Sequence, residues 1–121
     1  MNMLKRKSVK INKRASDPLE QLIYEHRIYI KGIVIAKEYD KILVVINTGN
    51  TITIKISDFP RLKSATIQEL NSWELISGGT GIHWKSLDED LSLKGFIYSI
   101  KPRERRTVIR KLSRNEDMIF S

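Results

Sequence analysis

Between Ile28 and Ser57 the chain makes three strand-like runs joined by short links. Thr51–Ser57 alternates, with Ile52, Ile54 and Ile56 on one face and Thr51, Thr53, Lys55 and Ser57 on the other. Ile42–Ile46 is unbroken apolar sequence, the signature of a strand covered on both faces. Ile28–Ala36 is rich in Ile, Tyr and Val. The links Glu38-Tyr39-Asp40-Lys41 and Asn47-Thr48-Gly49-Asn50 are short and hold turn residues, so antiparallel hairpins are predicted.

The flanking sequence predicts short helices and a further hairpin. Asp17-Pro18-Leu19-Glu20 reads as a helix start with a capping aspartate, and Leu19, Leu22, Ile23 and His26 follow as one stripe. Phe59-Pro60-Arg61-Leu62 breaks the strand pattern, and Ser64 or Thr66 can cap a short helix reaching about Ser72. Trp73–Ile76 and Ile82–Trp84 read as two strands around the glycine-rich turn Ser77–Gly81. Asp88, Glu89 and Asp90 suit the first turn of a helix opening near Ser86 and continuing through Leu91, Leu93, Phe96, Ile97 and Ile100, although Gly95 weakens it. The resulting expectation is an α+β fold with one small antiparallel sheet of about five strands. No internal repeat is visible in the sequence.

The chain has 121 residues, enough for one core domain, expected over 16–100, with extensions at 1–15 and 101–121. Cysteine is absent, which excludes disulfides, thiolate metal sites and a cysteine nucleophile. The absence of a long apolar run or a secretory leader pattern predicts a cytoplasmic protein without a membrane span.

The net charge of +8 is unevenly placed. Residues 1–14 hold Lys5, Arg6, Lys7, Lys10, Lys13 and Arg14 and no acid. Residues 101–121 hold seven cations against three acids, whereas 15–100 hold nine against eleven. After Pro102, Val108, Ile109 and Leu112 fall on one helical face, and Arg103, Arg106, Arg110 and Arg114 on another. With Arg105 and Lys111, these terminal cations are the candidate contacts for a nucleic-acid backbone, DNA or RNA, or for an acidic protein surface. Solvated tails are the plainer alternative.

Catalytic equipment is sparse. His26 reads as a boundary residue of the first helix. The sharpest enzymatic idea is a metal-assisted hydrolase or nuclease using His83, Asp88 and Asp90, but their spacing matches no strong metal motif. Ser77–Gly81 lacks the Gly-Lys-Ser/Thr ending of a phosphate loop. No catalytic residue, metal or cofactor is therefore expected.

The succession Phe59-Pro60-Arg61-Leu62, Ala65-Thr66, Trp73-Glu74-Leu75-Ile76, Gly81-Ile82-His83-Trp84 and Leu87-Asp88-Glu89-Asp90-Leu91-Ser92-Leu93-Lys94-Gly95-Phe96-Ile97 closely resembles the bacterial family called domain of unknown function 2442, over roughly 28–97. Lys85 and Ile67 stand where that family commonly has proline. The resemblance implies a small α+β domain without catalytic activity, often encoded in arrangements like toxin–antitoxin pairs. Some members carry a helix-turn-helix domain, which is not expected within residues 101–121, so direct operator reading is not expected by analogy. The expectation that follows is a non-catalytic accessory or adaptor protein in a bacterial defence or toxin–antitoxin type assembly, including an accessory subunit of an RNA-guided (CRISPR) nuclease. It would bind a larger effector or toxin-like protein and form a homodimer through the segment after Pro102.

Overall fold

A computed structural model describes residues 17–119, with side chains described through Ser113. The order is α1 (Pro18–Glu25), β1 (Ile30–Ala36), β2 (Lys41–Ile46), β3 (Thr51–Lys55), α2 (Pro60–Lys63), α3 (Ile67–Leu70), β4 (Trp73–Ile76), β5 (Gly81–Trp84), β6 (Glu89–Ser92), α4 (Leu93–Ser99) and α5 (Pro102–Ile119). The fold is α+β, as the sequence predicts. The six strands among the described residues form two antiparallel meanders, β1-β2-β3 and β4-β5-β6, rather than one sheet of about five.

The first meander follows its sequence pattern closely. Ile33 and Ile35 on β1 face Val44 and Ile42 on β2, which face Ile52 and Ile54 on β3. This inner face joins the core. The β1–β2 turn closes on Asp40, which takes the left-handed conformation (φ 58°) tolerated best by Asp, Asn and Gly. Its carboxylate accepts from the Ser57 N–H and hydroxyl, which ends β3 at Lys55, short of the expected Ser57. Asn47 fixes the other end. Its side chain accepts from the Tyr29 N–H and donates to the Arg27 carbonyl, and β1 begins at Ile30 rather than Ile28.

The second meander corrects the reading of the acidic triplet. Asp88, Glu89 and Asp90 do not open a helix. Asp88 is left-handed (φ 52°) and reverses the chain, after which Glu89, Asp90 and Leu91 pair with Trp84, His83 and Ile82. Pairing across a sheet outweighs the preference of three acids for a helix terminus. The helix begins only at Leu93, where the Ser92 hydroxyl accepts from the Gly95 N–H. The two meanders share one local device: a 3-10 turn starting at Lys37 or Lys85 and ending in a left-handed aspartate.

The core binds the meanders together. Trp84, Phe96, Leu62, Leu70, Ile82, Leu93 and Ile97 are fully buried. Trp84 donates its indole N–H to the Leu70 carbonyl at 3.0 Å, and Phe59 meets Phe96 edge-on at 6.2 Å. α3 carries the expected cap at Thr66, completed by Glu69 as a capping box.

α5 runs 18 residues, about 27 Å at 1.5 Å per residue. Leu112 is 1% exposed, and Val108 and Ile109 pack partly against the core. This is the apolar face expected for the C-terminal segment.

Candidate functional site

Most of the residues that carry the family resemblance hold the fold. The Arg61 guanidinium donates to the carbonyls of Leu87 and Asp88 and lies 3.7 Å from the carboxylates of Asp88 and Glu89. It clamps the turn that reverses the chain between β5 and β6. Leu62 and Ala65 are buried, and the Ala65 carbonyl accepts from the Lys37 ammonium at 2.8 Å. These contacts tie Arg61, Ala65, Leu87, Asp88 and Glu89 of the motif to the fold.

His83, Asp88 and Asp90 do not converge. His83 and Asp90 sit opposite each other on β5 and β6, and His83 Nδ1 hydrogen-bonds the Asp90 carboxylate. Asp88 turns to Arg61. Among the described residues no group of three or more His, Cys, Asp or Glu side chains is placed to hold a metal ion. The three-residue metal centre considered from sequence is therefore not assembled.

A cleft of about 670 Å³ lies between α1, the α1–β1 connection and the start of α4, with Ile23, Ile28 and Leu93 among its apolar lining. Of its ionic lining groups, Lys94 and Glu20 pair with each other. Lys94 lies 3.2 Å from Asp17 and 3.4 Å from Glu20. Burial raises the Asp17 pKa, but the Glu20 N–H, the Lys94 ammonium and the Leu19 N–H outweigh it and hold the carboxyl below its ordinary value. The Asp17 hydrogen bond, opposed by burial and aided by Glu20, raises Lys94. The glycine-rich turn beside the cleft is structural: Gly79 has φ 93°, and a Cβ there would meet Tyr29 at 3.0 Å.

The C-terminal cations divide by face. Arg105 is half-buried, donates to the carbonyls of Tyr98 and Ile100 and lies 5.2 Å from the Tyr98 ring centre. It is a strut rather than a free contact. Arg103, Arg106, Arg110 and Lys111 are exposed and form no ion pair among the described residues. Arg114 lies on the helix, but its side chain is outside the described set, as are Lys5, Arg6, Lys7, Lys10, Lys13 and Arg14.

One cationic pair escaped the sequence reading. Lys41 and Lys55 face each other across β2 and β3, both exposed, with no acid bound to either among the described residues. Alternation alone places Lys55 outward. Only the register shows that its neighbour carries the same charge.

Comparisons with known proteins agree with this fold. A crystal structure of a protein of unknown function from Rhodospirillum rubrum is 26% identical with a TM-score of 0.54, covering 60% of this chain and 88% of that one. The solution structure of an uncharacterised protein from Chromobacterium violaceum is 22% identical with a TM-score of 0.57, covering 75% of this chain and 84% of the other. No curated protein matches. No helix among the described residues is long and apolar enough to cross a membrane. The family model described as protein of unknown function (DUF2442) matches residues 30–102, and the chain belongs to that family.

Proposed function

We propose that the protein is a non-catalytic accessory protein that lies along a nucleic-acid backbone through the outer face of α5, within a bacterial defence or toxin–antitoxin type assembly. The observation that carries this reading is the division of α5 into two faces. Arg105, Val108, Ile109 and Leu112 seat the helix on the body. Arg103, Arg106, Arg110 and Lys111 point away from it without neutralising partners among the described residues. From 103 to 111 the helix advances about 12 Å, which along the duplex axis covers three to four phosphates of one strand at about 3.4 Å of axis per phosphate. Because the helix is already docked, little ordering entropy opposes the contact.

Titrating a fluorescent 20-mer duplex and a single strand at several salt concentrations tests the proposal. Four neutralised phosphates contribute about −3.6 to the slope of log K against log salt. The triple change Arg103→Glu, Arg106→Glu, Arg110→Glu weakens binding at least tenfold at low salt and flattens that slope, with the thermal melt unchanged. Equal affinity in the triple variant ends the proposal.

A further inference from the structure

The outer face of the first meander has a composition unlike that of α5. Its rows are Gly32–Val45–Thr51, Val34–Leu43–Thr53 and Ala36–Lys41–Lys55. The β1–β2 side is apolar. Val34 is 54% exposed, Leu43 and Val45 are only half-covered, and a side chain at 32 would lie 3.7 Å from the Trp73 ring at the margin. The β2–β3 end carries the opposed lysines. Sequence leads one to expect both faces of β2 to be covered, yet the described chain covers only the inner one fully.

Directly opposed like charges destabilise a sheet, and no carboxylate among the described residues relieves this pair. An apolar strip ending in two unneutralised ammonium groups is complementary to a segment that offers aliphatic side chains and then carboxylates. A nucleic acid backbone would satisfy the lysines but leave Val34, Leu43 and Val45 against water and phosphate. We infer that this face docks an acidic amphipathic segment of a partner protein, with Val34, Leu43, Val45 and Trp73 receiving its apolar side chains and Lys41 and Lys55 its carboxylates. The inference deepens the accessory-protein reading by giving the protein partner a place, on a surface separate from α5.

Panning random 12-residue peptides displayed on phage against the full chain tests it. Enriched peptides are expected to combine at least two large apolar residues with net negative charge. A synthetic copy of the leading peptide should bind at least tenfold more weakly to Val34→Asp and to the double change Lys41→Glu, Lys55→Glu. Should Val34→Asp fail to fold, Val34→Thr keeps the β-branch and should still weaken binding. The α5 triple variant should bind the peptide as the parent does, which separates failure here from failure of the nucleic-acid reading. No enrichment, a net-basic consensus, or binding indifferent to Val34 overturns the inference. So does a sedimenting dimer that Val34→Asp converts to monomer, because a second copy would then occupy the face.

Discussion

The outer face of α5 and the outer face of the first meander are both cationic, and they differ in what lies between the charges. On α5 the exposed cations stand along one face, while the apolar residues Val108, Ile109 and Leu112 are turned inward. On the meander the two lysines border exposed or half-covered Val34, Leu43 and Val45. Charge alone would assign both surfaces to the same polyanion. The intervening side chains separate them: a face of cations suits evenly spaced phosphates, whereas a mixed face needs a partner that brings its own apolar groups.

The comparison presumes that one core supports both faces, and the largest predicted effect tests this. Trp84 is fully buried and its N–H is satisfied by Leu70. Trp84→Ala is expected to cost about 3–5 kcal/mol, and both binding activities should disappear at the same urea concentration. Separate transitions would show that the faces belong to independently unfolding units.

Leu112 allows the faces to be uncoupled. It is the buried anchor of α5 beyond the half-covered Val108 and Ile109. Leu112→Ala should cost about 2–3 kcal/mol, at the low end for buried leucine because its α5 neighbours Val108 and Ile109 are only half-covered and the site can relax. Amide exchange should accelerate along α5 while β1–β3 stay protected. Nucleic-acid affinity should fall with no change in peptide binding at the meander. Uniform acceleration across the chain would mean that α5 is integral to the core.

The first meander was legible because its signal is local. Alternation, short links and turn residues fix β1–β3 to within a residue or two of their observed ends. The strand Trp73–Ile76 was equally clear, and of the two caps the sequence offers, Ser64 and Thr66, the structure uses Thr66. β6 was not, because Glu89-Asp90-Leu91-Ser92 has weak strand propensity and forms a strand only through its ladder to β5 and the Arg61 clamp. The division into two sheets was hidden for a related reason: which strands fail to pair is a long-range fact. At the candidate sites, helical spacing placed Arg103, Arg106 and Arg110 together. It could not reveal that Arg105 is tied to two main-chain carbonyls, or that Lys41 and Lys55 are neighbours.

A smaller effect concerns the link between α1 and α4, which lies apart from both faces. Asp17 is held below its ordinary value of 3.8, so its contribution is present above that value and disappears as pH falls through the folded-state pKa. Lys94 is raised above 10.5, so its contribution is present below that value and is lost as pH rises through the folded-state pKa. Solvent screens both groups, which limits the pair to about 1 kcal/mol. Lys94→Gln should lower the urea midpoint at pH 7, with the difference from the parent shrinking as pH falls below 3.8 through the Asp17 folded-state pKa and as it rises above 10.5 through that of Lys94. A pH-independent difference would assign the loss to packing of the lysine stem.

The smallest predicted effect has the opposite sign and bears directly on the meander face. If Lys41 and Lys55 are retained for binding, the unliganded protein is less stable than the same sheet with an opposite-charge pair. Lys41→Glu places a carboxylate across from Lys55 and should raise stability by a few tenths to about 1 kcal/mol at low salt, less as ionic strength increases. The same variant should lose affinity for acidic peptides and retain its affinity for the duplex. A gain in stability together with that selective loss would show that the lysine pair favours the complex at the expense of the free protein. If Lys41→Glu left stability unchanged in low salt, the two ammonium groups would not be interacting, and the case for an anionic occupant drawn from their repulsion would fail.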